Sequence, residues 1–293
     1  MTLTFNVGDM RVDRVIEQEL PGFDPFEFFP NLTKDELEPH KAMLAKPMAL
    51  DPVSGLLSFT MQSFVVRAGG LNILIDSCIG NDKDRPTRPL WHMKTDTTYM
   101  DALKAAGLGV GDIDVVMCTH LHPDHVGWNT KLENGRWVPT FPKARYVFSK
   151  DELDYWTAQN KKQSINHFED SVLPIVQAGR TELVKSDHEL THGVQLLPTP
   201  GHTPDHYSVR LASGGAEAIV TGDLIHSPLQ CVCTHLHSRP DVDREQGRAT
   251  RNAFMEKYAD TDTLIAATHF PSPSIGHFIR QGDAFGYRYR TDD

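Results

Sequence analysis

Residues 119–128 read THLHPDHVGW and place His120, His122, Asp124 and His125 within six positions. Imidazole nitrogen and carboxylate oxygen are the atoms that zinc and its divalent neighbours prefer as ligands, so the stretch reads as a metal site. Residues 113–118, IDVVMC, form a short apolar run of strand type just before it. Pro123 is expected to stop any helix from running through the histidines. They would then sit on a loop at a strand's C-terminal end, where layered α/β proteins gather ligands. In an extended segment residues two apart share a face, so His120 and His122 would grip one ion. Asp124 and His125, past the bend, would be aimed toward a second. Four ligand-type side chains exceed what one small ion usually takes from a single loop, so a two-metal site is expected.

Three further segments have the same form, a β-type run followed by a small residue or threonine and then a ligand. Residues 195–200 (QLLPTP) lead through Gly201 to His202. Residues 216–222 (AEAIVTG) lead to Asp223, and residues 263–268 (TLIAAT) lead to His269. One carboxylate between two cations can serve both and offset their charge, which suits Asp223. No single histidine among the fifteen would carry this reading. Their ordered placement after strands does.

HLHPDH, followed in order by GHT, TGD and TH, resembles the metal-binding framework of the metallo-β-lactamase superfamily, here spanning residues 64–269. The resemblance implies an α/β fold, the αββα four-layer sandwich, with two divalent ions, zinc first among them, along one edge. Carried over by motif, His120, His122 and His202 would hold one metal, Asp124, His125 and His269 the other, and Asp223 would bridge. Asp76, after residues 72–75 (NILI), matches the family's acid on an early strand and would orient a ligand histidine. The implied reaction is hydrolysis by a metal-bridging hydroxide, with Asp124 as a proton shuttle. GxSxG, the mark of a serine nucleophile, is absent.

The substrate class follows from departures. Flavodiiron oxygen reductases carry glutamate where this chain has His122, and too few residues follow His269 for the glutathione-gripping extension of glyoxalase II enzymes. Zinc β-lactamases lack the bridging aspartate. What remains is similar to the lactonase and phosphotriesterase branch, which includes quorum-quenching lactonases and methyl parathion hydrolase. Quorum-quenching lactonases place a tyrosine three residues after the bridging aspartate; here that residue is His226. A histidine can also donate to an oxyanion, so the expectation is a lactone, ester or phosphotriester other than an acyl-homoserine lactone. A thioester or β-lactam hydrolase of the same superfamily and a non-catalytic, metal-stabilised binding module are the alternatives.

At 293 residues the chain can bury a full core and is expected to form one domain, 1–293. Its net charge of −10 has no basic block to offset it, which argues against nucleic-acid partners. No run of 18 apolar residues suggests a membrane span, and the opening residues lack the pattern of a secretory leader. Four cysteines without a disulfide spacing fit a reducing, cytoplasmic setting. The alternation in residues 231–237, CVCTHLH, predicts a strand that packs its thiols inward, with its histidines toward the site rim. Residues 21–29, PGFDPFEFF, are rich in phenylalanine and either cover a core edge or, within an insertion at 20–50, form a lid or the contact of a homodimer. Residues 80–93, with Trp91, should border the site. Capping boxes at Thr33–Glu36 and Ser149–Glu152 predict helices toward Leu44 and through Trp156.

Overall fold

Alternation of buried side chains explains the architecture. Along the strand Leu71–Ile75, Ile73 and Ile75 point to one apolar cluster and Leu74 to another. Val115 and Met117 are likewise separated from Val116, Val147 from Tyr146 and Phe148, and Ala218 and Val220 from Ile219. A strand buried on both faces needs a layer on each side. The computed structural model describes residues 4–291 and supplies those layers.

One seven-stranded sheet runs, in spatial order, Thr4–Val7, Met10–Phe23, Leu57–Ala68, Leu71–Ile75, Val115–Met117, Arg145–Ser149 and Thr181–Val184. The other runs Glu189–Thr191, Val194–Pro198, Tyr207–Ser213, Ala216–Val220, Leu264–Ala266, Ile275–Gln281 and Ala284–Tyr289. Their inner faces share one core, with Phe64, Ile73 and Val115 from the first sheet and Leu196, Val209 and Val220 from the second. Helices Thr98–Ala105 and Lys150–Lys162 cover the outside of the first sheet through Leu103, Leu153 and Trp156. Helix Arg244–Tyr258 covers the second through Phe254, Met255 and Tyr258. This is the expected αββα sandwich.

Strands Leu71–Ile75, Val115–Met117 and Arg145–Ser149 run parallel, as do Ala216–Val220 and Leu264–Ala266. The loops that follow carry the histidines. Two sequence expectations need correcting. Pro123 does not exclude helix; it opens the short helix Pro123–Val126, because proline lacks only an N–H that a first helical turn leaves unbonded anyway. Residues 231–237 do not form a strand. Helix Leu229–Val232 takes up Cys231, and the two thiols enter different apolar clusters. His235 pairs with Glu36 at 3.1 Å, and neither it nor His237 lines the site cavity. Pro228 just before that helix favours a helical start over extended pairing.

The N-terminal aromatics do cover a core edge. Phe28, Phe29, Leu32, Leu37 and Leu44 pack on Phe59, Met61 and Trp91. The Thr33 capping box forms in full. At Ser149 only half forms: its hydroxyl accepts from the Glu152 N–H, but the Glu152 carboxylate turns inward to Trp156 Nε1 at 2.7 Å. The four cysteines are free and buried.

The 80–93 segment is fixed by charge. Arg85 makes a two-pronged contact with Asp170 at 2.7 and 2.9 Å. Lys83, wholly buried, donates to Thr130 Oγ1 at 2.7 Å and lies 3.6 Å from the centre of the Trp137 ring. Burial pushes the Lys83 pKa down to about 7 against the opposing pull of Asp170. Asp170→Ala would strand the buried Arg85 guanidinium and is expected to cost about 3 kcal/mol, read as a lower urea midpoint at unchanged slope.

Candidate metal centre

The site is built from strand ends. The loop after Val115–Met117 brings His120 and His122; the turn after it brings Asp124 and His125. The loop after Val194–Pro198 brings His202, the turn after Ala216–Val220 brings Asp223, and the loop after Leu264–Ala266 brings His269. All seven side chains predicted as ligands meet here. His120, His122, His202 and Asp223 form one group able to hold a metal ion, and Asp124, His125 and His269 another, with ligand atoms in each within 4.8 Å of one another.

In the first group His122 Nδ1 lies 3.0 Å from His120 Nε2 and 2.9 Å from His202 Nε2. Asp223 Oδ2 lies 3.1 Å from His202 Nε2 and 3.6 Å from His120 Nε2. Its other oxygen, Oδ1, lies 3.0 Å from His125 Nε2 and 2.8 Å from His269 Nε2. Asp124 Oδ2 is 3.8 Å from both of those nitrogens. One carboxylate thus faces both groups, an oxygen to each.

The far nitrogens decide what the near ones can do. His125 Nδ1 donates to Asp76 Oδ2 at 2.9 Å, His202 Nδ1 to Asp241 Oδ1 at 2.8 Å, and His269 Nδ1 to the Thr60 carbonyl at 3.0 Å. These acceptors fix the proton on the outer nitrogen, leaving a lone pair on the inner one. Thr119 Oγ1, placed against Asp76, does the same for His120 Nδ1 at 3.1 Å. Lone pairs and carboxylate oxygens therefore point at one another, and neither His125 Nε2 nor Asp223 Oδ1 has a hydrogen-bond partner. Buried groups of this kind need a proton or a metal cation between them. A divalent metal with N and O ligands fits this donor set.

Asp76 contacts a histidine of the cluster, as an orienting residue would. It adopts φ +59°, a conformation aspartate tolerates better than most residues, and it accepts from the Thr119 N–H at 2.8 Å. Sequence reasoning missed two supports. His206, inside the GHTPDH stretch, accepts from the Asp223 N–H at 2.9 Å and so fixes the carboxylate facing both groups. Its position four residues after His202 was a usable signal. Asp241 lies in a loop with no spacing cue. Gly222 is required between them: its φ is +55°, and a Cβ there would come within 2.6 Å of His206 Nε2.

His226 also reaches the cluster. Its Nε2 lies 3.1 Å from Asp223 Oδ2, its ring is parallel to that of His269, and its Nδ1 has no partner. Burial lowers its pKa more than Asp223 raises it. A cavity of about 110 Å³ opens over the cluster, walled by Phe23, Phe28, Phe59, Met61, Arg88 and Trp91, with Asp124, Asp223, His226 and His269 at its floor. Trp91 realises the expectation that the 80–93 segment borders the site, and Phe23 and Phe28 of the aromatic stretch stand beside it.

A family model described as the metallo-beta-lactamase superfamily matches residues 62–269. The chain belongs to this superfamily. An N-acyl homoserine lactonase from a Bacillus species is 29% identical over 117 residues, and one from Bacillus cereus is 28% identical over 117 residues. Each alignment covers 40% of this chain and 40% of the relative, so the superfamily chain described here matches less than half the length of these curated relatives. Among solved structures, the hydrolase AbOPH superposes with a TM-score of 0.81 at 23% identity, covering 99% of this chain and 97% of that one. AidC, a dizinc quorum-quenching lactonase, gives 0.82 at 19% identity, with the same coverage. Likeness at such identities establishes the fold.

Two outcomes are expected of this superfamily site. Burial pushes the His202 pKa down, but Asp223 and Asp241 outweigh it and raise it to about 9. Below that value a metal must displace the proton, so zinc loading near neutral pH should release protons and affinity should fall as pH falls; calorimetry in buffers of differing ionisation enthalpy reads this. Asp76→Ala is expected to weaken metal affinity about 10- to 100-fold, measured by chelator competition.

Proposed function

We propose that this chain is a dinuclear metal-dependent hydrolase of lactones or esters. His120, His122 and His202 would hold one ion, Asp124, His125 and His269 the other, and Asp223 would serve both, with zinc the first choice. The convergence of inward-facing lone pairs on the two oxygens of Asp223 carries this reading. Two divalent ions, when bound, supply an activated water and polarise a substrate carbonyl. Everything else is the work of the chain.

Asp124 is the most exposed of the cluster's two carboxylates, 12% against 5% for Asp223, and both reach the cavity floor. From there Asp124 can carry a proton to a leaving oxygen. His226, held neutral by burial, donates from Nε2 to Asp223 Oδ2. If the oxygens of Asp223 are committed to cations, that N–H is released to a substrate oxygen in the cavity. The apolar wall limits water at the reacting carbon.

Several findings support lactone and ester chemistry over other superfamily reactions. The relatives matched in sequence are lactonases, and AidC was solved with the product N-hexanoyl-L-homoserine. The cavity is small and has an apolar wall of Phe23, Phe28, Phe59, Met61 and Trp91, which suits a small molecule. Residues 1–293 are best read as one domain, since Met10–Phe23 pairs along Leu57–Ala68 at the head of the matched region.

The test is metal analysis joined to a substrate panel. About two zinc equivalents per chain and chelator-sensitive turnover of lactones or aryl esters are expected. Asp223→Ala should abolish turnover and lower the metal content. Full metal loading with every lactone, aryl ester and phosphotriester left intact would refute the assignment.

A further inference from the structure

We infer that Arg88 selects substrates whose apolar arm ends in a carboxylate, an inference that rests on the hydrolase reading and narrows its substrate class. Arg88 is the one lysine or arginine on the wall of the cavity over the histidine cluster. Its guanidinium carbon lies 5.7 Å from the Phe23 ring centre and 5.6 Å from that of Trp91. Two aromatic faces at that range hold a guanidinium by cation–π attraction, leaving its N–H edge free for an anion. Among the described residues Arg88 makes no ion pair with any carboxylate, in a chain whose net charge is −10. An unpaired arginine at the mouth of an active site in an acidic protein marks a place where the ligand supplies the negative charge.

The backbone under Arg88 is held in place. Its N–H donates to the Arg85 carbonyl at 2.8 Å, and its own carbonyl accepts from Trp91 and His92 at 2.9 Å each. Arg85 in turn is locked onto Asp170. The charge therefore sits on a fixed loop.

Arg88 also stands where recesses meet. A groove of about 360 Å³, with Leu20, Leu56 and Leu90 on its walls, shares Phe23, Phe59 and Trp91 with the cavity. A smaller recess on the other side brings Arg239 near the same mouth. The acids there, Asp24 and Glu27, pair with neither arginine among the described residues; Asp24 instead accepts from the Phe26 and Glu27 N–H groups. A scissile carbonyl over the histidines would lay its apolar arm along Phe59 and Trp91 and bring the arm's end to Arg88. A wholly apolar arm would have to desolvate the guanidinium to pass into the groove, which favours an arm that ends in an anion.

The test compares mono-4-nitrophenyl adipate with its methyl ester, identical except for the terminal charge, on zinc-loaded protein and on Arg88→Met with its metal content verified. The wild type should prefer the acid, and Arg88→Met should reduce that preference roughly tenfold, mainly through KM. Rising salt should erode the wild-type preference, because Arg88 is exposed. A preference that is absent, or unchanged in the variant, overturns the inference. If neither ester is turned over, the hydrolase reading is what has failed, and binding decides Arg88 separately. Calorimetry with naphthalene-2-sulfonate and the neutral 2-naphthyl methyl sulfone should show tighter binding of the anion, lost in Arg88→Met; equal binding of the two would overturn the inference.

Discussion

Four imidazole rings have their protons tied to acceptors facing away from the centre they surround, and that constraint governs the rest of the site. Asp76, Asp241, the Thr60 carbonyl and Thr119 each take a bond from an outer nitrogen, so the inner nitrogens have only lone pairs to present. Lone pairs cannot bond one another. Either protons or cations must come between them, and Asp223 draws protons onto His125, His202 and His269 when nothing else is there. The orienting acceptors thus do more than hold rings still. They determine that the centre is a sink for positive charge.

Much of the fold serves to bring those acceptors into place. Asp76 ends the strand Leu71–Ile75 and reaches across to the loop after its parallel neighbour Val115–Met117. Parallel pairing with both faces buried puts these strand ends side by side, which an antiparallel pair would not do. Gly222 lets the turn carrying Asp223 approach Thr119 and His206 more closely than any side chain would permit. Gly201 plays a similar part for the His202 loop, where a Cβ would meet the Gly247 backbone at 2.2 Å. Two polar links, His206 Nε2 to the Asp223 N–H and His202 Nε2 to Asp223 Oδ2, then tie the two loops together.

The histidine–aspartate cluster was legible in the sequence because its members follow apolar runs in a fixed order, and each run became a strand ending three or four residues before the first of them. The orienting shell was only half legible. Asp76 could be found from its place after a strand, and His206 from its motif, but Asp241 contacts His202 from a loop whose sequence carries no pattern. Alternation misled at residues 231–237 because a period of two is weak evidence over so short a run when Pro228 stands just before it. Pro123 misled in the opposite sense, since a proline that breaks a helix interior also begins one well. The roles of Glu152 and Arg88 depend on which way a side chain turns, and no spacing rule reports that.

Charge balance bears on the two cations proposed above. Asp223 and Asp124 face the centre directly, while Asp76 and Asp241 bond its histidines, so four carboxylates lie within one imidazole's length of the same point. Glu152 stands outside this set: its carboxylate accepts from Trp156 Nε1 at 2.7 Å and from the Leu121 N–H at 3.3 Å. A single divalent ion would leave about two of these negative charges uncompensated among largely buried groups, a state that burial disfavours. Two divalent ions bring the sum near zero. Neutral imidazoles contribute lone pairs without charge, which lets five of them crowd together at no further electrostatic cost once the cations are in place. The acidic shell and the histidine shell are therefore complementary: one sets how much positive charge the centre needs, and the other sets where it sits.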